Sequence, residues 1–193
     1  MRDANPANPL KLLKDIIMQN DFADAQSTDA KTIPVIDVSG AISGDGINDV
    51  ADAIYNAATN HGFFYISNHG IDPILMEQAF AVSKAFFELP EVDKQAIAVD
   101  RNQRGWLAQG MSRMQGSKTH DLKEVFFWGP HTEADDVDVL ACKPLCAVNQ
   151  WPRDFPRLYE DLTPYYDAVC QMARRVMAAV AVSLDQPANF FDK

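Results

Sequence analysis

The sequence predicts an α+β fold in which helices dominate and only a few strands are present. Three observations carry this. Two strong helical periodicities run over 47–58 and 155–184, and a third apolar stripe lies between Leu75 and Phe87. Short aromatic and β-branched runs appear at 33–38, 63–66 and 124–128, bounded by glycine or proline. The order is strand, helix, strand, helix, helix, strand, long helix, and three strands are too few to close a barrel or sandwich.

Residues 1–31 are polar and rich in Asp and Asn around one short helical candidate, Leu10 to Met18, and are expected to form a loosely held, flexible arm. Ile33-Pro34-Val35-Ile36-Asp37-Val38 reads as a strand. Pro34 puts it at a sheet edge or a strand start, because proline has no N–H for a ladder. Gly40, Gly44 and Gly46 mark the loop that follows. Ile47, Val50, Ala51, Ile54 and Ala58 then share one helical face, and Gly62 sits where a left-handed stop is wanted.

Phe63-Phe64-Tyr65-Ile66 reads as a buried strand, turned by Asn68-His69-Gly70. Asp72 caps and Pro73 opens the next helix, whose stripe is Leu75, Met76, Ala79, Phe80, Val82, Phe86 and Phe87. Leu89-Pro90 ends it, and Glu91 to Ile97 forms a shorter helix. Residues 100–120 read as a loop bearing glycine and glutamine. Glu124 to Trp128 forms the third strand, closed by Gly129-Pro130 and followed by an acidic loop. Asn149-Gln150-Trp151-Pro152 is a rigid turn before the long helix. Pro164 inside that helix predicts a kink, or a break with Thr163 as a new cap.

Charge and composition narrow the function. The net charge of -10 argues against nucleic acid and anionic membrane as partners, since both require a basic surface. No run of about 18 apolar residues is present and the first 30 residues do not read as a secretory signal. Cys142, Cys146 and Cys170 are an odd count without a CxxC pair. Together these features predict a cytoplasmic protein with reduced thiols.

The ordered segments Ile33-Pro34-Val35-Ile36-Asp37, Gly62 to Ile71, Phe86 to Pro90, Arg104-Gly105-Trp106, Asp121 to Phe126 and Asn149 to Pro152 form a set. That set resembles the amino-terminal region of the isopenicillin N synthase-like iron(II)/2-oxoglutarate-dependent oxygenases. Each segment is weak alone, and six in order are specific. The resemblance implies a domain over 32–193 whose few strands would complete a double-stranded β-helix, or jelly roll. The core of that jelly roll, the carboxyl-terminal catalytic part, is missing from this sequence. In the family it carries a His-x-Asp pair, a distant second histidine and an Arg-x-Ser pair. Two histidines and one carboxylate leave open positions on iron for co-substrate and oxygen.

His61, His69, His120 and His131 are the only histidines, and none begins a His-x-Asp. No metal ligands and no catalytic residues are therefore assigned. His131-Thr132-Glu133 is formally His-x-carboxylate, but no histidine follows it, so a metallohydrolase built on it is a poor reading. His69 reads as a turn residue bonding nearby backbone, and His61 as a helix-end residue. Iron(II) and 2-oxoglutarate are the cofactors of the complete enzyme, with a small organic molecule as substrate. Neither cofactor is expected to bind this chain alone.

Arg104, Trp106, Gln109 and Met111, with Met114, lie where the family's matching stretch approaches the substrate cavity. One cation, one ring and soft methionines suit a small-molecule pocket; a surface loop anchored by Trp106 is the alternative. Phe126 and Trp128 share Glu124's face of the third strand and are further pocket candidates, against burial by the jelly roll. Asn149 and Trp151 read as anchors of the long helix. Two functions follow: the amino-terminal part of an oxygenase, inactive by itself, or a complete non-catalytic binding protein built on the same helical region.

Overall fold

The computed structural model describes residues 33–192, apart from Met114 and Ser117. The expected flexible arm (1–31), its helical candidate and Met114 lie outside the described residues. Ten elements follow in order: β1 (Val35–Asp37), α1 (Ser39–Ser43), α2 (Ile47–Asn60), β2 (Tyr65–Ser67), α3 (Pro73–Phe87), α4 (Glu91–Gln95), β3 (Gly105–Leu107), β4 (Val125–Phe127), α5 (Val137–Leu140) and α6 (Arg157–Ser183). The mixed, mainly helical architecture is the one the periodicities predict.

The strands form two small sheets. β1 pairs parallel with β2, Val35 opposite Tyr65 and Asp37 opposite Ser67, with α2 as the crossover. β3 pairs antiparallel with β4, Gly105 opposite Phe127 and Leu107 opposite Val125. The second sheet corrects the expectation of a loop through 100–120. A three-residue strand around Gly105 has no periodicity of its own, and only its partner reveals it.

Gly105 is required there. Its φ is +108°, and a Cβ would lie 2.3 Å from the Ile97 carbonyl oxygen, because Trp106 N–H donates to that same carbonyl at 2.7 Å. The loop expected after β1 is also corrected. Ser39–Ser43 is a short helix ended by Gly44 at φ +90°, whose N–H donates to Gly40 O at 3.0 Å. The acidic loop contains α5, capped by Asp136, whose carboxylate accepts from Asp138 N–H at 2.8 Å.

Two apolar cores are joined by one helix. The first gathers Ile36 of β1 and Val38 just after it with Val50, Ile54 and Ala57 of α2, and Ala179 of α6 closes it. The second gathers Ala79, Val82 and Phe86 of α3, Ile97, Trp106, and Leu158 and Leu162 of α6. At 27 residues, α6 is about 40 Å long and reaches both. It runs unbroken through Pro164, where a break at Thr163 was one expectation. Leu162 and Tyr165, on either side of the proline, both pack into the second core, and that packing holds the helix in register.

One stripe position shifts by a residue and another drops out. Ala57, not Ala58, is the buried end of the α2 face, and Phe80 of α3 is 78% exposed beside the buried Ala79. Asp72 caps α3 as expected, its carboxylate accepting from Ile74 N–H at 2.9 Å.

Gly105→Ala should destabilise the chain by roughly 3 kcal/mol or more, because strain at positive φ adds to a clash with backbone. Urea unfolding checks it; a midpoint equal to that of the unchanged chain would contradict the geometry.

Candidate functional site

The polar centre of the chain lies under β3 and β4. Glu124 is adjacent in sequence to Lys123, both just before β4, and the two side chains take different partners. Lys123 goes outward and pairs with Asp121 at 3.1 Å. Glu124 goes inward. Its Oε2 accepts from the Lys94 ammonium at 2.8 Å and from the Trp106 indole N–H at 2.6 Å. Lys94, on α4, is almost fully buried and also donates to the Phe87 carbonyl at 2.7 Å. Its Nζ lies 5.2 Å from the Trp106 ring centre, a cation–π distance.

Around this centre the rings stack. Phe126 meets Phe86 at 5.0 Å and Trp151 at 5.6 Å, and Trp128 meets Trp151 at 5.3 Å and Tyr166 at 4.9 Å. Burial, followed by the neighbouring Cys170 thiol, pushes the Tyr166 phenol up.

The turn before α6 fastens both strands. Asn149 accepts from Gly129 N–H at 2.9 Å and donates to Gly129 O at 2.8 Å, just beyond β4. Gln150 donates to Arg104 O at 2.6 Å, just before β3. The anchoring role expected of the turn Asn149-Gln150-Trp151-Pro152 is what the geometry displays.

The six pocket candidates separate into two groups. Arg104 is buried: its guanidinium lies against Gly129, where a Cβ would come within 2.8 Å of Nη2, and donates to the carbonyls of Gln103 at 3.1 Å and Leu145 at 2.8 Å. Trp106 and Phe126 belong to the second core, with Trp128 at its edge. Gln109 and Met111 lie on the exposed part of the following segment, Met111 at 71% exposure. That segment is closed by Gly110 N–H donating to Asp121 O and by the Ser112 hydroxyl on the Asp121 carboxylate.

The histidines do not assemble. His69 Nδ1 accepts from Ile71 N–H at 3.2 Å, the turn contact expected of it. His131 pairs only with Glu133, at 2.9 Å on the surface. His61 caps α2. Among the described residues no three His, Cys, Asp or Glu side chains converge as a metal site requires. These described residues therefore do not fit iron.

Residues 33–154 match the family model described as non-haem dioxygenase in morphine synthesis, N-terminal. The chain belongs to this family, the amino-terminal region of iron(II)/2-oxoglutarate-dependent oxygenases. A 2-oxoglutarate-Fe(II) type oxidoreductase of Aspergillus fumigatus is 34% identical over 138 residues, which are 69% of this chain and 41% of that protein. Among solved structures, a 2OG-Fe(II) oxygenase family protein from Caulobacter crescentus superposes with TM-score 0.71 at 25% identity, over 83% of this chain and 51% of the other. A full-length Neurospora crassa protein, in complex with alpha-KG, superposes with TM-score 0.67 at 28% identity, over 83% and 49%. The chain thus spans about half the length, or less, of the relatives it matches.

Glu124→Gln should lower stability by roughly 2–4 kcal/mol, because it leaves the buried Lys94 ammonium without its counter-charge. Replacing both residues, Lys94→Met with Glu124→Leu, should cost clearly less than the two single changes summed. A double-mutant cycle in urea measures this, and a coupling below about 0.5 kcal/mol would remove the pair from its central role.

The Lys123 ammonium, then the Ser112 hydroxyl, hold the Asp121 carboxyl below its ordinary value. A depressed folded-state value stabilises above the unfolded carboxylate value and loses that contribution as pH falls through the folded one. Stability should therefore decline below about pH 4, and Asp121→Asn should make that decline shallower in unfolding measured across pH 2–6.

Proposed function

We propose that residues 32–193 are the scaffold half of an iron(II)/2-oxoglutarate-dependent oxygenase acting on a small organic molecule in the cytoplasm. The observation that carries this is the family match over 33–154 in a chain of about half its relatives' length. The iron ligands and the residues that hold 2-oxoglutarate belong to a jelly-roll half outside these 193 residues. Two features support that division. The sequence has four histidines and no His-x-Asp. The outer face of the first sheet carries Val35 and Tyr65, with Phe63 just before β2, each more than half exposed, an apolar surface suited to burial by further strands.

In this reading Gln109, Met111 and the rim of Trp128 face the substrate cavity. Arg104, Trp106 and Phe126 stand behind them and fix their position. The relatives indicate substrate size only: the Neurospora crassa protein has been crystallised with thymine. Among the described residues no helix is long and apolar enough to cross a membrane, and an acidic chain is a poor ligand for nucleic acid.

Iron(II), ascorbate and 2-oxoglutarate added to the purified chain should yield no succinate above the buffer background, and turnover would overturn the inactivity. The coding sequence beyond Lys193 should continue into a His-x-Asp segment. A stop codon there would favour the non-catalytic binding protein instead.

A further inference from the structure

A cleft between α4 and the turn that opens α6 has no part in the oxygenase reading. It encloses about 420 Å3, within the range of small-molecule sites. Leu89, Ile97, Trp151 and Phe155 form its apolar floor, and Asp93, Arg153 and Asp154 stand at its rim. The floor is preformed. Ile97 is 7% exposed, and Trp151 is wedged among the rings of Phe126, Trp128 and Tyr159 at 5.3–5.6 Å.

The rim charges are free while their sequence neighbours are paired. Lys94, next to Asp93 in sequence, pairs with Glu124, and Arg157, close to Asp154, pairs with Asp161 at 3.0 Å. Asp93, Arg153 and Asp154 make no ion pair or side-chain hydrogen bond among the described residues. Two unpaired carboxylates and one unpaired guanidinium thus ring an apolar floor. A plain cation would meet the repulsion of Arg153, and a plain anion that of Asp93 and Asp154. A zwitterion satisfies both signs.

The larger groove along the open edge of β1 offers no such complementarity. Pro34 and Asp37 lie on that edge, and both discourage an added strand.

We propose that this cleft binds a free apolar amino acid. Its carboxylate engages Arg153, its ammonium lies between Asp93 and Asp154, and its side chain rests on Trp151 and Phe155. The proposal is independent of the oxygenase chemistry.

The test is a titration of the purified, isotope-labelled chain followed by the indole N–H resonance of Trp151. L-leucine should shift it saturably with a Kd on the order of 1 mM. Isoamylamine, which lacks the carboxylate, 4-methylpentanoate, which lacks the amine, and leucine blocked at both ends should each bind at least about tenfold more weakly. Arg153→Ala and Asp154→Asn are surface changes that leave circular dichroism unaltered, and each should cost L-leucine about tenfold in affinity. Absence of saturation with L-leucine overturns the proposal. So does equal binding of the amine, the acid or the blocked form, which would mean that the floor alone is recognised.

Discussion

The contact on which the site region depends is the Lys94 ammonium against the Glu124 carboxylate. A lysine buried this deeply is tolerated only when its charge is matched and its protons are placed. Here one proton goes to Phe87 O, at the end of α3, and another to Glu124, at the edge of β4. The same carboxylate oxygen takes the Trp106 indole N–H, so one atom ties α4, β3 and β4. Phe126 and Trp128 lie on Glu124's face of the strand, and the position of their rings follows from it. Isolated surface pairs such as Lys84–Glu88 carry no comparable constraint, because water competes for both partners.

The second constraint is the length of α6. A helix of about 40 Å allows two small cores to behave as one body. Leu158 and Leu162 complete the core under β3 and β4, and Val176 and Ala179 complete the one under β1 and β2. The sheets themselves remain two-stranded, with exposed apolar positions at Val35 and Tyr65. A parallel pair with one bare face is an arrangement that further structure ordinarily covers.

Much of the fold was legible residue by residue. Asp72-Pro73 announced a helix start by capping chemistry alone. Gly62 announced a stop by its left-handed backbone, φ +79°. What was not legible was short or shared. β3 lasts three residues and exists through pairing with β4, so no local period betrays it. The α1 helix is five residues among glycines, too short for periodicity to register. On the α2 stripe, positions three and four beyond Ile54 fit a 3.6 period equally well. Packing chose Ala57 over Ala58.

For the candidate site the division is sharper. The sequence by itself determined the family, through six segments in order, and the lack of a His-x-Asp pair, because both are properties of residue identity and spacing. Only the tertiary structure decided that Glu124 meets Lys94, 30 residues away, and that Arg104 is a buried clamp on carbonyls instead of an open cation. Only it left Asp93, Arg153 and Asp154 unpaired around one cleft. The physical reason is range. Caps, turns and alternation are fixed by neighbours a few residues away, whereas the partner of a charge is fixed by which elements pack together.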